Sequence, residues 1–202
     1  MVDSKQLVKE LREITGVGIL DCKKYLERAN NNIDDAIKLI RSEAGLKADK
    51  KGSRIAAEGI VNYYEDEKSC LILELNSETD FVARDENFIS LSSSIAEKLL
   101  KNNPADIQQD INSEISTVIS KLGENIQLRR FKKIEKNNFV YGYSHNNKIS
   151  SLVELKNDDE ILAKDICMQI VASNPLSLDE ASLDTDTLQS EKEIYKKELE
   201  KL

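Results

Sequence analysis

The spacing of apolar residues first changes near residue 55, and that change excludes both an all-helical and an all-β fold. Before it, apolar residues recur at intervals of three and four, the repeat of a helix with one buried face. Leu7, Val8, Leu11 and Ile14 form one stripe, with Asp3 or Ser4 available as N-cap. Ile19, Cys22, Leu26 and Ala29 form a second. Ile33, Ala36, Ile37 and Ile40 form a third, entered through Asn32 and followed by Gly45, a residue suited to closing a helix. Three short helices are therefore expected over residues 1–45, followed by a basic linker, LKADKKGSR, over 46–54. Beyond it, GIVNYY and SCLILEL alternate with a period of two around the turn EDEK and predict a β-hairpin. A helix follows from about Asp85 to Lys101, with Phe88, Leu91, Ile95 and Leu99 on one side and Asn103-Pro104 as its stop. Ile111, Ile115, Val118 and Leu122 mark a further helix ended by Gly123, and NIQLRRFKKIE alternates like a strand.

The second half repeats part of the first. NYYEDEKSCLILELNSETD (62–80) and GYSHNNKISSLVELKNDDE (142–160) superpose without a gap, so that Tyr63 meets Tyr143 and Lys68 meets Lys148. Each hairpin precedes a helix ending in Asn-Pro, at Asn103-Pro104 and Asn174-Pro175. The second copy is incomplete. After Pro175 comes DTLQSEKEIYKKELEKL, a charged helix with Leu188, Tyr195, Leu199 and Leu202 on one side. So narrow a stripe needs a partner. The partner is either a second copy of the chain, giving a homodimer through this helix, or a return helix in a longer protein, and the sequence favours the second.

Composition excludes several classes of function. No run of about 18 apolar residues is present, and the N-terminus lacks the apolar centre of a signal peptide, so a soluble cytoplasmic protein is expected and no membrane partner. Cys22, Cys70 and Cys167 are far apart, and His145 is the single histidine, which predicts no metal site, no disulfide framework and no Cys–His nucleophile. Residues 1–54 carry 12 Lys/Arg and 9 Asp/Glu, leaving 17 and 28 of the chain's 29 and 37 for the remainder. An acidic body argues against direct nucleic-acid binding. Arg129 and Arg130 do not alter that reading, because neighbours on a strand point to opposite faces and the pair is expected to split. TGVGILD (15–21) begins like a dinucleotide fingerprint but lacks the third glycine and any preceding strand. No cofactor is expected, and no enzyme of covalent chemistry.

One stretch resists a purely structural account. ETDFVARDE, residues 78–86, surrounds Phe81 with charge. The residues alone favour a helix start, with Thr79 or Asp80 as cap and Phe81 folded back as a hydrophobic staple. The stretch also reads as a rigid turn that holds a phenylalanine outward to enter another protein.

ETDFVARDE closely resembles the signature of the translation elongation factor Ts family, with Asp85 where the family usually has asparagine. LVKELREITGVGILDCKKYLERANNNIDDAIKLIR is similar to that family's ubiquitin-associated-like N-terminal domain. GENIQLRRF resembles the last strand of its first core subdomain, and AKDICMQIVASNPL the helix of its second. The resemblance implies a guanine-nucleotide exchange factor for elongation factor Tu. It implies that the loop Thr79, Asp80, Phe81 and Val82 enters the partner's GTPase domain near its magnesium. Ile19 and Leu20 stand where the family has two methionines in a turn that contacts a partner helix. His145 matches a histidine that meets the partner's third domain. The family continues through a return helix and a closing strand beyond the point where this sequence stops.

The expected fold is thus α+β. A three-helix ubiquitin-associated-like bundle (1–45) and linker (46–54) lead into a duplicated core of small antiparallel sheets packed with helices. The core comprises a first subdomain (55–137) and an incomplete second one (138–178), ending in a coiled-coil-like helix (179–202). The alternative function is a protein-interaction adaptor that binds through its bundle without affecting nucleotide release.

Overall fold

In the computed structural model, which describes residues 4–52 and 54–200, three helices open the chain. They are α1 (Ser4–Thr15), α2 (Ile19–Arg28) and α3 (Ile33–Lys51). Leu11, Cys22, Leu26, Ala36 and Ile40 from the three stripes bury together, joined by Val17 from the TGVG turn. Ser4 is the first residue of α1, while Asp3, the other candidate cap, lies outside the described residues. The third helix does not close at Gly45. It continues to Lys51, so 46–51, read above as part of a linker, is helical. A lone glycine costs a helix only about 1 kcal/mol, and Leu, Lys and Ala after it are good helix formers. α3 also packs along a helix of the core.

The core begins with β1 (Glu58–Glu65) and β2 (Ser69–Ser77), followed by α4 (Asp80–Ala83), α5 (Glu86–Lys101), α6 (Pro104–Leu122) and β3 (Gln127–Glu135). The strands form an antiparallel sheet in the order β1-β2-β3. Leu71, Leu73 and Leu75 alternate along the central strand at 0% exposure. They bury against Phe88, Leu91, Ile95 and Leu99 of α5 and the isoleucines of α6, one layer of helices over one layer of sheet. Asn103 caps α6 with its side chain, Pro104 takes the first turn where no amide is needed, and Gly123 closes the helix at φ 84.

The expected separation of Arg129 and Arg130 is not found. The register slips between Glu74 and Leu75, where β2 meets β3, and both guanidinium groups turn to Glu74, at 3.7 and 2.5 Å. A bulge breaks the alternation on which that expectation rested.

The second copy contains β4 (Phe139–His145), β5 (Ile149–Leu155) and α7 (Glu160–Ser173). β2 and β5 start at 69 and 149, and α4 and α7 start at 80 and 160, so the offset of the repeat survives in three dimensions. The copies differ at their Asn-Pro pairs. Asn174 closes α7 in the left-handed conformation at φ 46, whereas Asn103 opens the helix after α5. A short 3-10 turn (Glu180–Ser182) leads to α8 (Thr185–Leu199), on which Tyr195 and Leu199 are exposed. Leu202, the last residue of the predicted stripe, lies outside the described residues.

The two copies meet where the β4–β5 hairpin abuts the outer edge of β1. The Val61 amide donates to the Asn147 carbonyl (2.8 Å), and the Tyr63 amide donates to Ser144 Oγ (2.9 Å). Ser150 Oγ donates to the Val61 carbonyl (3.0 Å), so two serine side chains and one backbone carbonyl satisfy an edge that no strand covers. Gly142 lies beneath the Tyr63 ring, where any Cβ would stand 2.2 Å from ring carbons.

Candidate partner-binding site

The loop between β2 and α5 is built from capping interactions. Thr79 adopts extended backbone and caps α4, its Oγ1 accepting from the Val82 amide at 3.4 Å. Ser77 Oγ donates to the Thr79 carbonyl (2.9 Å). Glu124, just past the end of α6, takes both the amide and the hydroxyl of Thr79, at 2.9 and 2.7 Å. Beside it the Asn125 amide donates to Glu78 (2.6 Å), which also faces the Arg54 guanidinium at 3.5 Å. Asp85 caps α5 by accepting from both the backbone amide and the side-chain amide of Asn87, each at 2.8 Å. The side-chain hydrogen bond from Asn87 is the main cause holding the Asp85 carboxyl below its ordinary value.

This scaffold sorts the four loop residues. Val82 and Ala83 are buried against the core, whereas Phe81 is 82% exposed. An exposure that high excludes the staple, which requires the ring to fold back onto the helix. Asp80 faces outward beside Phe81 and pairs with Arg84 one turn on, at 3.0 Å.

The other predicted residues lie on separate elements. Ile19 and Leu20 form the first turn of α2 and are 55% and 76% exposed. With Val8 they line a groove of about 570 Å³ between α1 and α2, rimmed by Lys9, Arg12 and Lys23. His145 stands exposed at the tip of the β4–β5 hairpin, its ring nitrogens 3.0 Å from Tyr143 Oη and 3.3 Å from Asn146 Nδ2. Asn146 and Asn147 at that tip have φ of 52 and 55, the left-handed pair of a type I′ turn that asparagine tolerates.

All three thiols are buried, and burial pushes each above its ordinary value, so they stay protonated and poor nucleophiles. Among the described residues no cluster of His, Cys, Asp or Glu has a metal-binding arrangement, and no helix is long and apolar enough to cross a membrane.

Sequence reasoning missed Glu124. Its partner Thr79 is 45 positions away, and neither periodicity nor composition marks a carboxylate after a helix-closing glycine as the clamp of a distant loop.

Comparison with known proteins places the chain first in a class, the factors of translation elongation. The profile of the family described as Elongation factor TS matches residues 78–202. Elongation factor Ts of Thioalkalivibrio sulfidiphilus is 41% identical over 208 residues, covering 96% of this chain and 71% of that protein. The Legionella pneumophila (strain Paris) protein of the same name is 40% identical over 95% of this chain and 70% of its own length. That of Clostridium acetobutylicum is 45% identical over 96% and 70% respectively. This chain belongs to the elongation factor Ts family.

Proposed function

We propose that this chain promotes release of GDP from elongation factor Tu by presenting Phe81, with Asp80 beside it, to the partner's GTPase domain near the bound magnesium. The observation that carries the reading is the contrast within four residues: Val82 and Ala83 anchor the loop in the core while Phe81 is 82% exposed. An exposed ring on an anchored turn loses little entropy on binding, the property expected of an interface anchor. Family membership supports the same reading.

The energetics call for more than the ring. Full burial of a phenylalanine contributes roughly 1.5–3 kcal/mol, one to two decades in an equilibrium. The remainder comes from weakening the magnesium that bridges the nucleotide phosphates and from contacts elsewhere. Ile19 and Leu20 supply one of these, with the basic-rimmed groove between α1 and α2 receiving a partner helix. His145 on its hairpin tip supplies another, toward the partner's third domain. The chain carries out no covalent step.

Two measurements on Phe81→Ala test this. Titration against nucleotide-free elongation factor Tu is expected to show binding retained. Release of a fluorescent GDP analogue at saturating chain is expected to slow by about one to two decades. Release at the wild-type rate overturns the role given to Phe81. If the wild-type chain binds without accelerating release, the adaptor reading replaces this one.

A further inference from the structure

We infer that Glu124 is the positioning residue of the Phe81 loop: its carboxylate, fixed by the end of α6, sets the direction in which the ring points. The inference rests on the exchange function proposed above and adds a residue that touches neither nucleotide nor magnesium in that scheme.

The geometry points to Glu124 through three observations. First, its two oxygens each hold a different donor of the same residue, the amide and the hydroxyl of Thr79, which lies two positions before Phe81. A two-point contact fixes the rotation of Thr79 as well as its position, which a single hydrogen bond cannot do. Second, the Thr79 hydroxyl donates to Glu124 and accepts from the Val82 amide, so the carboxylate orients the group that caps α4. With only four residues, α4 has no propensity to persist alone. Burial of Val82 and Ala83 seats this turn on the core, and the cap fixes how it begins. Third, Glu124 is itself held. Gly123 closes α6 with a backbone hydrogen bond to Ile119 (2.9 Å), Asn125 is 2% exposed, and the Asn125 amide donates to Glu78 in the same loop. One turn earlier Lys121 Nζ donates to Asn87 Oδ1 (2.5 Å), tying α6 to the cap of α5 on the far side of Phe81. The end of α6 therefore grips the loop before and after the ring.

The consequence is a separation of two roles. Phe81 supplies the contact, and Glu124 supplies the orientation that lets it arrive without first being ordered. Removing the carboxylate leaves the binding surface in place but lets the ring sample directions that miss the magnesium site. The maximal release rate falls, while the concentration giving half the maximal effect changes little.

The test compares the wild-type chain with Glu124→Ala and Glu124→Gln. In the free proteins, amide hydrogen exchange is read at Thr79, Val82 and Ala83. With elongation factor Tu, release of a fluorescent GDP analogue is followed at saturating chain. Glu124→Ala is expected to expose the three loop amides to exchange about tenfold faster, with β2 and α5 interior amides unchanged. It is also expected to lower the maximal release rate by about tenfold. Glu124→Gln, whose amide oxygen still accepts from the Thr79 amide, restores most of both. Loop exchange unchanged in Glu124→Ala overturns the inference whatever the release assay gives. Faster loop exchange with an unchanged maximal rate also overturns it, since the orientation would then not matter. If the wild-type chain itself fails to accelerate release, the proposed function falls, and the exchange data alone still decide whether Glu124 orders the loop.

Discussion

By its resemblance to the family signature, Asp85 stands where asparagine is expected, and its contacts explain why either residue serves. Both side chains offer an oxygen to the free amides at a helix start and rank alike as N-caps. The carboxylate adds a favourable interaction with the helix dipole of a few tenths of a kcal/mol. Asp85→Ala is expected to cost about 1 kcal/mol in urea unfolding, and Asp85→Asn only a fraction of that. The pH dependence has a definite sign. The folded-state value of Asp85 lies below its ordinary 3.8, so its stabilising effect is complete above that value and is lost as pH falls through the lower, folded-state one. Wild type should therefore lose stability relative to Asp85→Asn on acidification below about pH 4. A stability difference independent of pH would contradict the cap's titration. At this scale the loop was only half legible in the sequence. Of the two caps the sequence offers, Thr79 and Asp80, the structure uses Thr79, and the helix expected from about Asp85 starts at Glu86 with Asp85 as its cap. The direction of Phe81 was not legible, because it is set by Glu124, a contact across 45 residues that no local rule contains.

Elements were legible wherever the apolar period was long and uninterrupted. Phe88, Leu91, Ile95 and Leu99 marked α5, and the leucines of β2 marked the central strand, because burial on one face imposes the period directly. Breaks in the period are less legible. Gly45 looked like a stop but lies inside α3, whose packing along α6 outweighs one glycine's cost. The arginines of β3 were expected to diverge and converge instead, because a bulge leaves no trace in residue spacing. The junction of the two repeats was equally hidden, being made by Ser144, Ser150 and Asn147 against a strand edge some 80 positions earlier. Gly142 is the tightest point of that junction. Gly142→Ala drives a methyl into the Tyr63 ring and should destabilise the fold by about 1–3 kcal/mol, read by urea or thermal unfolding. A cost below about 0.5 kcal/mol would show that the hairpin yields without loss and that the junction is loose.

The whole molecule sets three exposed features on separate supports. The α2 start carries Ile19 and Leu20, the Phe81 loop is gripped by the end of α6, and the β4–β5 tip carries His145. In the proposed function, contact spread over these three supports holds the partner while its nucleotide site is disturbed. Linkage makes the effect reciprocal. By whatever factor this chain weakens GDP on elongation factor Tu, GDP weakens this chain by the same factor. The most direct test is the release of a fluorescent GDP analogue from elongation factor Tu as the chain is titrated in. The expected result is a rate that climbs with concentration to a plateau at least about tenfold above intrinsic release. A rate that stays at its intrinsic value while the chain demonstrably binds would contradict it.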